Sequence, residues 1–81
     1  MSNETSTRIH DFITGRFPNA EFTTADDIFS LGFVNSLFAA ELVMFIEKTF
    51  ALSIPSAELE IDNFRTVDSM TALVERQAVS V

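Results

Sequence analysis

Between residues 36 and 50, apolar side chains fall at Ala39, Leu42, Val43, Ile46 and Phe50. Those intervals line up on one stripe of a 3.6-residue helix. Nothing in the chain alternates with the period of two of a half-buried strand strongly enough to force a sheet, so helices are expected to build the domain. Asn35 precedes the stripe and suits an N-cap, since its side-chain oxygen can take an orphan backbone N–H; Ser36 then stands at or next to the first helical position. Ile9, Phe12, Ile13 and Phe17 predict an earlier helix over 4–16, closed near Gly15 and stopped by Pro18. Val67, Met70, Leu73 and Val74 predict a last helix over 67–78, with Thr66 as its cap. Pro55 breaks the connector between them, and a short helix within 56–64 is expected to bury Leu59, Ile61 or Phe64. Residues 18–35 form a long loop pinned by Phe22, Ile28, Phe29, Leu31 and Phe33, with a short helical turn expected around Asp26–Phe29. The expected fold is all-α: a small four-helix bundle with three main helices, one short helix and a long first loop.

A chain of 81 residues buries only about 60% of its unfolded surface, enough for one modest core. With no internal repeat or linker, it reads as a single domain, 1–81, with an ordered core over about 5–78. Twelve acidic residues against five basic ones give a net charge of -7. That charge repels nucleic acid and anionic lipid, so neither is an expected partner. It suits two roles equally: a solvated surface, or one that selects basic protein partners. An apolar content of 47%, with nine phenylalanines, is too rich for a disordered acidic tail. There is no cysteine, which excludes disulfides and thiolate chemistry from the chain's own side chains. No apolar run approaches the roughly eighteen residues a membrane span needs. "SNETSTR" after Met1 lacks the regions of a secretory signal, and the cytoplasm is the expected location.

Catalytic constellations are hard to assemble. His10 is the only histidine, which leaves no histidine metal cluster and no conventional Ser-His-acid arrangement. It reads as a surface or helix-packing residue. Asp26 and Asp27 have oxygens suited to magnesium, but adjacent side chains converge poorly and no calcium-loop pattern surrounds them, so loop solvation is their expected role and no metal is expected. Gly32 is isolated, unlike a phosphate-cradling series, and suits the turn ahead of the helix. Ser36 is a weak nucleophile without an adjacent base. A loop–helix junction is nonetheless accessible, and a helix start favours an attached phosphate. On spacing alone Ser36 is a capping or plain exposed hydroxyl, or a modified serine. A small bundle has little room for a deep substrate cavity, and no catalytic residue is expected.

"GFVNSLFAAELVMFIEKTFALSIP", followed by "NFRTVDSM" at 63–70, resembles the acyl/peptidyl carrier protein family over nearly the whole chain. In that family the serine of an Asp-Ser-Leu-type motif at the start of the second helix receives 4′-phosphopantetheine. Asn35, Ser36 and Leu37 match that motif here, Gly32 matches the glycine before it, and Glu41, Leu42 and Val43 match the following helix. The resemblance implies a non-catalytic carrier. A phosphopantetheinyl transferase loads Ser36 from coenzyme A, and the arm's thiol then carries acyl or aminoacyl thioesters from a loading enzyme to downstream synthase or tailoring enzymes. It also accounts for the missing cysteine, because the working sulfur belongs to the prosthetic group. The departure is Asn35, where the family usually has aspartate; it keeps the cap acceptor but removes a negative charge and implies slower modification.

The later "ELEIDNFRTV" looks like discrete carriers of secondary metabolism, of the polyketide or nonribosomal peptide kind, and implies a monomer. The resemblance also implies docking through the second helix, and Phe38, Glu41, Met44 and Glu47 are its expected partner-docking residues. Phe38 has a second place open to it, folded over the loop against Phe29 or Phe33. The reading from another class is an acidic helical interaction adaptor without a prosthetic group, in which Ser36 merely starts a helix.

Overall fold

The computed structural model describes residues 2–32 and 34–79, with side chains over 4–32 and 34–77. Phe33, an expected loop anchor, lies outside the described residues. Three α-helices carry the fold: α1 (Ser2–Arg16), α2 (Ser36–Thr49) and α3 (Val67–Val79). Two 3₁₀ turns, Ser56–Glu58 and Ile61–Phe64, occupy the connector where one short helix was expected. Described residues contain no strand. No helix among them is long and apolar enough to cross a membrane.

The helix boundaries follow local chemistry. Asn35 is extended (φ -130°, ψ -176°), and its Oδ1 accepts the Phe38 N–H at 3.0 Å. Thr66 does the same for α3, its Oγ1 accepting the Ser69 N–H at 2.9 Å. At the far end of α2 the Phe50 N–H donates to the Ile46 carbonyl and the Leu52 N–H to the Glu47 carbonyl, with Ala51 between them at φ 53°. That pattern ties off carbonyls a helix end leaves open.

Each helix buries one stripe. Ile9 and Ile13 of α1, Leu42 and Ile46 of α2, and Val67, Met70 and Leu73 of α3 are fully enclosed. Burying one such side chain is worth about 1.5–3 kcal/mol. α1 packs its backbone most closely against α3. Between α1 and α2 the spacers are aromatic rings: Phe12 stacks on Phe38 (5.8 Å) and Phe45 (4.2 Å), and Phe17 meets Phe38 edge-on at 4.9 Å. His10 has the helix-packing place: its Nε2 lies 3.1 Å from the Phe22 carbonyl oxygen and its ring 4.5 Å from that of Phe22.

The first loop has no helix among its described residues; the helical turn expected at Asp26–Phe29 is a hydrogen-bonded turn set slightly later, with Leu31 N–H on the Asp27 carbonyl and Gly32 N–H on that of Phe29. Gly32 takes φ +89°, a region costly for any residue with a Cβ. Asp26 and Asp27 do more than solvate. Asp26 accepts the Thr23 N–H, while Asp27 Oδ1 accepts those of Phe29 and Ser30. The Ser30 amide, helped by the Phe29 amide and the Arg65 guanidinium, holds the Asp27 carboxyl below its ordinary pKa against a weaker opposing effect of burial. Arg65 reaches Asp27 at 3.2 Å and Asp62 at 2.7 Å, and its carbonyl accepts the Ile28 N–H at 2.8 Å. The Asp68 N–H donates to the Thr24 carbonyl at 3.0 Å. Buried Ile28 completes this attachment of the loop to the chain before α3.

Candidate functional site

Ser36 is the first residue of α2 and is exposed. The cap is made by its neighbour: Asn35 takes the Phe38 N–H on its side chain and the Ala39 N–H on its carbonyl. The hydroxyl is therefore not needed to start the helix. The N–H groups of Ser36 and Leu37, at the start of α2, have no partner within the helix itself. They point out of the positive end of the helix dipole, and no acidic residue lies in the first turn of α2. A phosphodiester on Ser36 Oγ would thus meet helix-start donors and no carboxylate from the first turn of α2, an arrangement that fits a phosphate-linked group. Val34, buried just upstream, and Gly32 in its left-handed turn aim the chain into the helix from the loop.

Among the described residues, no base is seen beside Ser36 to activate it. The imidazole of His10 is engaged at Phe22. Among the described residues no three His, Cys, Asp or Glu side chains group so as to hold a metal ion.

The expected docking residues divide. Leu37, flanking the serine, is 73% exposed, and Met44 is 61% exposed. Phe38 is a correction: it is 4% exposed, with its ring against Phe12 and Phe17 rather than on the surface. The reason is helical phase. Phe38 stands four and eight residues before Leu42 and Ile46, so it shares their inward face. The packing alternative named Phe29 or Phe33 as its neighbours; the described rings against it are Phe12 of α1 and Phe17 just after that helix, and Phe33 lies outside the described residues. Glu41 is half-buried and ion-paired with Arg16, whose guanidinium carbon also lies 5.6 Å from the centre of the Phe38 ring. Glu47 turns away from solvent partners too, its Oε2 accepting the Ile54 N–H at 2.8 Å.

Sequence reasoning missed two features here. Arg16 lies twenty-five residues from Glu41, and no local spacing links them. Leu59 and Ile61, expected as candidates for burial, are 48% and 50% exposed; only Phe64 of that trio is buried. Their short turns cannot place every apolar residue inward, and the exposed pair instead lines a cleft of about 290 Å³ with Ala39, Ala40, Val43 and Phe64. Ala39 and Ala40 are three and four residues on from Ser36 and lie one turn along the same side of α2. Their small side chains help leave the cleft open, about one helical turn along α2 from the serine. The "ELEID" alternation, apolar between charges, was the available signal that these residues face out as well as in.

A family model described as "Phosphopantetheine attachment site" matches residues 13–74, well over half of the chain. No curated protein matches the chain, and no solved structure does.

Proposed function

The chain belongs to the phosphopantetheine-attachment family of carrier proteins, and from that premise we propose that Ser36 Oγ is the point at which its prosthetic arm is carried. The family's members are non-catalytic acyl or peptidyl carriers, modified on a serine with 4′-phosphopantetheine, and they work with phosphopantetheinyl transferases and acyl-processing enzymes. When bound, that group supplies the terminal thiol on which acyl or aminoacyl units travel as thioesters. What remains for the chain is to present one hydroxyl, favour the phosphate and offer a surface to each enzyme in turn.

The observation that carries the assignment is division of labour at the start of α2. Asn35 makes the cap, leaving Ser36 exposed at a helix start with no first-turn acid. Modification forms a bond from Ser36 Oγ to the pantetheine-side phosphorus of coenzyme A. The diphosphate P–O bond breaks, the adenosine bisphosphate leaves, and the hydroxyl proton passes to a base that the transferase supplies. The missing base beside Ser36 is consistent with this role. Two other serines lack the setting: Ser53 is in the connector ahead of Pro55, and Ser69 is half-buried in α3, its N–H on Thr66.

The finer reading is a carrier domain of the secondary-metabolism kind, acting in the cytoplasm with an acyl- or aminoacyl-loading enzyme and later synthase or tailoring enzymes. The resemblance of "GFVNSL" and "ELEIDNFRTV" supports it. Incubation with a broad-specificity transferase and coenzyme A, read by intact mass and fragment mapping, tests the attachment point. The wild type should gain one arm, mapped to Ser36, and Ser36→Ala should gain none. Arm addition to a folded Ser36→Ala chain would reject the assignment, and no addition to the wild type would favour the adaptor reading.

A further inference from the structure

The turn from which the chain runs into α2 is gripped by a residue far along the sequence. Asp27 is the knot of that turn. Its Oδ1 accepts the N–H groups of Phe29 and Ser30, its carbonyl takes the N–H of Leu31, and the Gly32 N–H closes on the Phe29 carbonyl. The other carboxylate oxygen, Oδ2, faces Arg65 Nη1 at 3.2 Å. Arg65 also takes the N–H of the buried Ile28 on its own carbonyl, so it holds the turn with main chain and side chain together. Its Nε donates to Asp62, three residues back, which steadies the guanidinium toward the loop. Past the turn, Gly32 at φ +89° sets the direction of departure. Four residue steps then lead to Ser36, a reach of at most about 14 Å.

We propose that Arg65 is a positioning residue for the loading of Ser36: through Asp27 it holds closed the turn that feeds α2, so that a transferase meets the serine already placed. The proposal rests on Ser36 as the attachment point. Arg65 acts on the turn and not on the reacting atoms. A transferase fits the carrier whose turn is closed. When only a fraction of chains is closed, apparent affinity falls by that fraction, while the reaction within the bound complex is unchanged. Loss of the grip is therefore felt in KM and not in kcat. The ion pair is partly exposed, so its loss loosens the turn without unfolding the domain. The bond from Ile28 survives substitution, because it uses the Arg65 main chain.

The test measures KM and kcat for the apo-carrier with a transferase and coenzyme A, by intact mass, beside amide hydrogen exchange of Ile28 and Gly32. Arg65→Gln should speed exchange at both amides by about two- to fivefold, the range an exposed ion pair contributes. KM should rise by up to the same factor, with kcat unchanged. Asp27→Asn keeps Oδ1 as acceptor for the turn and loses only the charge, so it should match Arg65→Gln. The two together should be no worse than either alone, since both break one contact. Arg65→Lys keeps a charge for Asp27 and should restore KM. Asp62→Asn leaves the contact with Asp27 in place and should stay closer to wild type. Melting curves show that each variant is folded. A folded Arg65→Gln chain with faster exchange and the wild-type KM makes the contact structural only and overturns the proposal. Additive effects of the two single substitutions, or a loss in kcat with KM unchanged, overturn it too. Fragment mapping that places the arm on another serine removes the attachment reading as well; mapping to Ser36 with an unchanged KM removes this one alone.

Discussion

At the scale of single residues, the substitution of asparagine for the family's usual aspartate separates two jobs that one side chain normally performs together. The cap depends on an oxygen acceptor, and Asn35 Oδ1 supplies it at 3.0 Å from the Phe38 nitrogen. On the proposed function, the charge would bear on the transferase and its magnesium instead. Asn35→Asp should therefore leave helical content by circular dichroism nearly unchanged while raising the initial rate of modification at equal enzyme and coenzyme A. A rate that stays level or falls would mean that the asparagine is neutral or matched to its own transferase. Asn35→Ala removes the acceptor as well, and should cost about 1 kcal/mol in denaturant titration.

Among elements, α2 is the one whose outward and inward faces both matter. Phe38 belongs to the inward face, so Phe38→Ala should lower stability by about 3–5 kcal/mol, a large part of what a domain of this size possesses. Phe38→Leu keeps most of the volume and should cost less than about 1.5 kcal/mol, with transfer near wild type at temperatures where the chain is folded. Normal melting with lost transfer in Phe38→Leu would put the ring back at an interface. The first loop offers a second check. The folded state holds Asp27 below its ordinary pKa, so this carboxylate contributes stability above the unfolded value, and the contribution is lost as pH falls through the folded one. Melting temperatures followed from about pH 6 to about pH 3 should decline less steeply in Asp27→Asn than in wild type across the carboxylate range. Equal slopes would leave the Asp27 carboxylate without a stabilising role.

The same elements show what a sequence can disclose. Asn35 and Thr66 bond to N–H groups three residues away, and the stripes of α2 and α3 repeat within single helices, so local spacing suffices to find them. The position of Ser36 follows from the same short-range logic. Phe38 was readable as well: counting back by fours from Ile46 through Leu42 arrives at it. Arg16 with Glu41, and Arg65 with Asp27, join residues twenty-five and thirty-eight apart. Such pairs exist only once the helices have chosen their neighbours, and an 81-residue string carries no spacing that announces them.

For the whole molecule, the uneven packing of the helices predicts uneven protection. α1 and α3 lie close along their backbones, while α2 is joined to α1 through phenylalanine rings and to the second 3₁₀ turn across the cleft. Native-state hydrogen exchange should find the amides around Ile13 and Leu73 opening only with global unfolding, and those of the α2 interior through a smaller excursion. Identical opening free energies in all three helices would instead make the bundle one cooperative unit.

The phenylalanine cluster also makes the molecule its own spectroscopic reporter. The chain has no tryptophan or tyrosine, so the aromatic proton spectrum holds phenylalanine and a single imidazole, and ring currents from the stacked Phe12, Phe38 and Phe45 must displace the resonances of their neighbours. Phe38 stands two residues after the serine, rooted in that stack. If the proposed arm is fastened to Ser36, or a group enters the cleft beside Ala39 and Ala40, Phe38 is a natural magnetic probe a few residues away, and loading should be sought in the chemical shifts of an unlabelled protein.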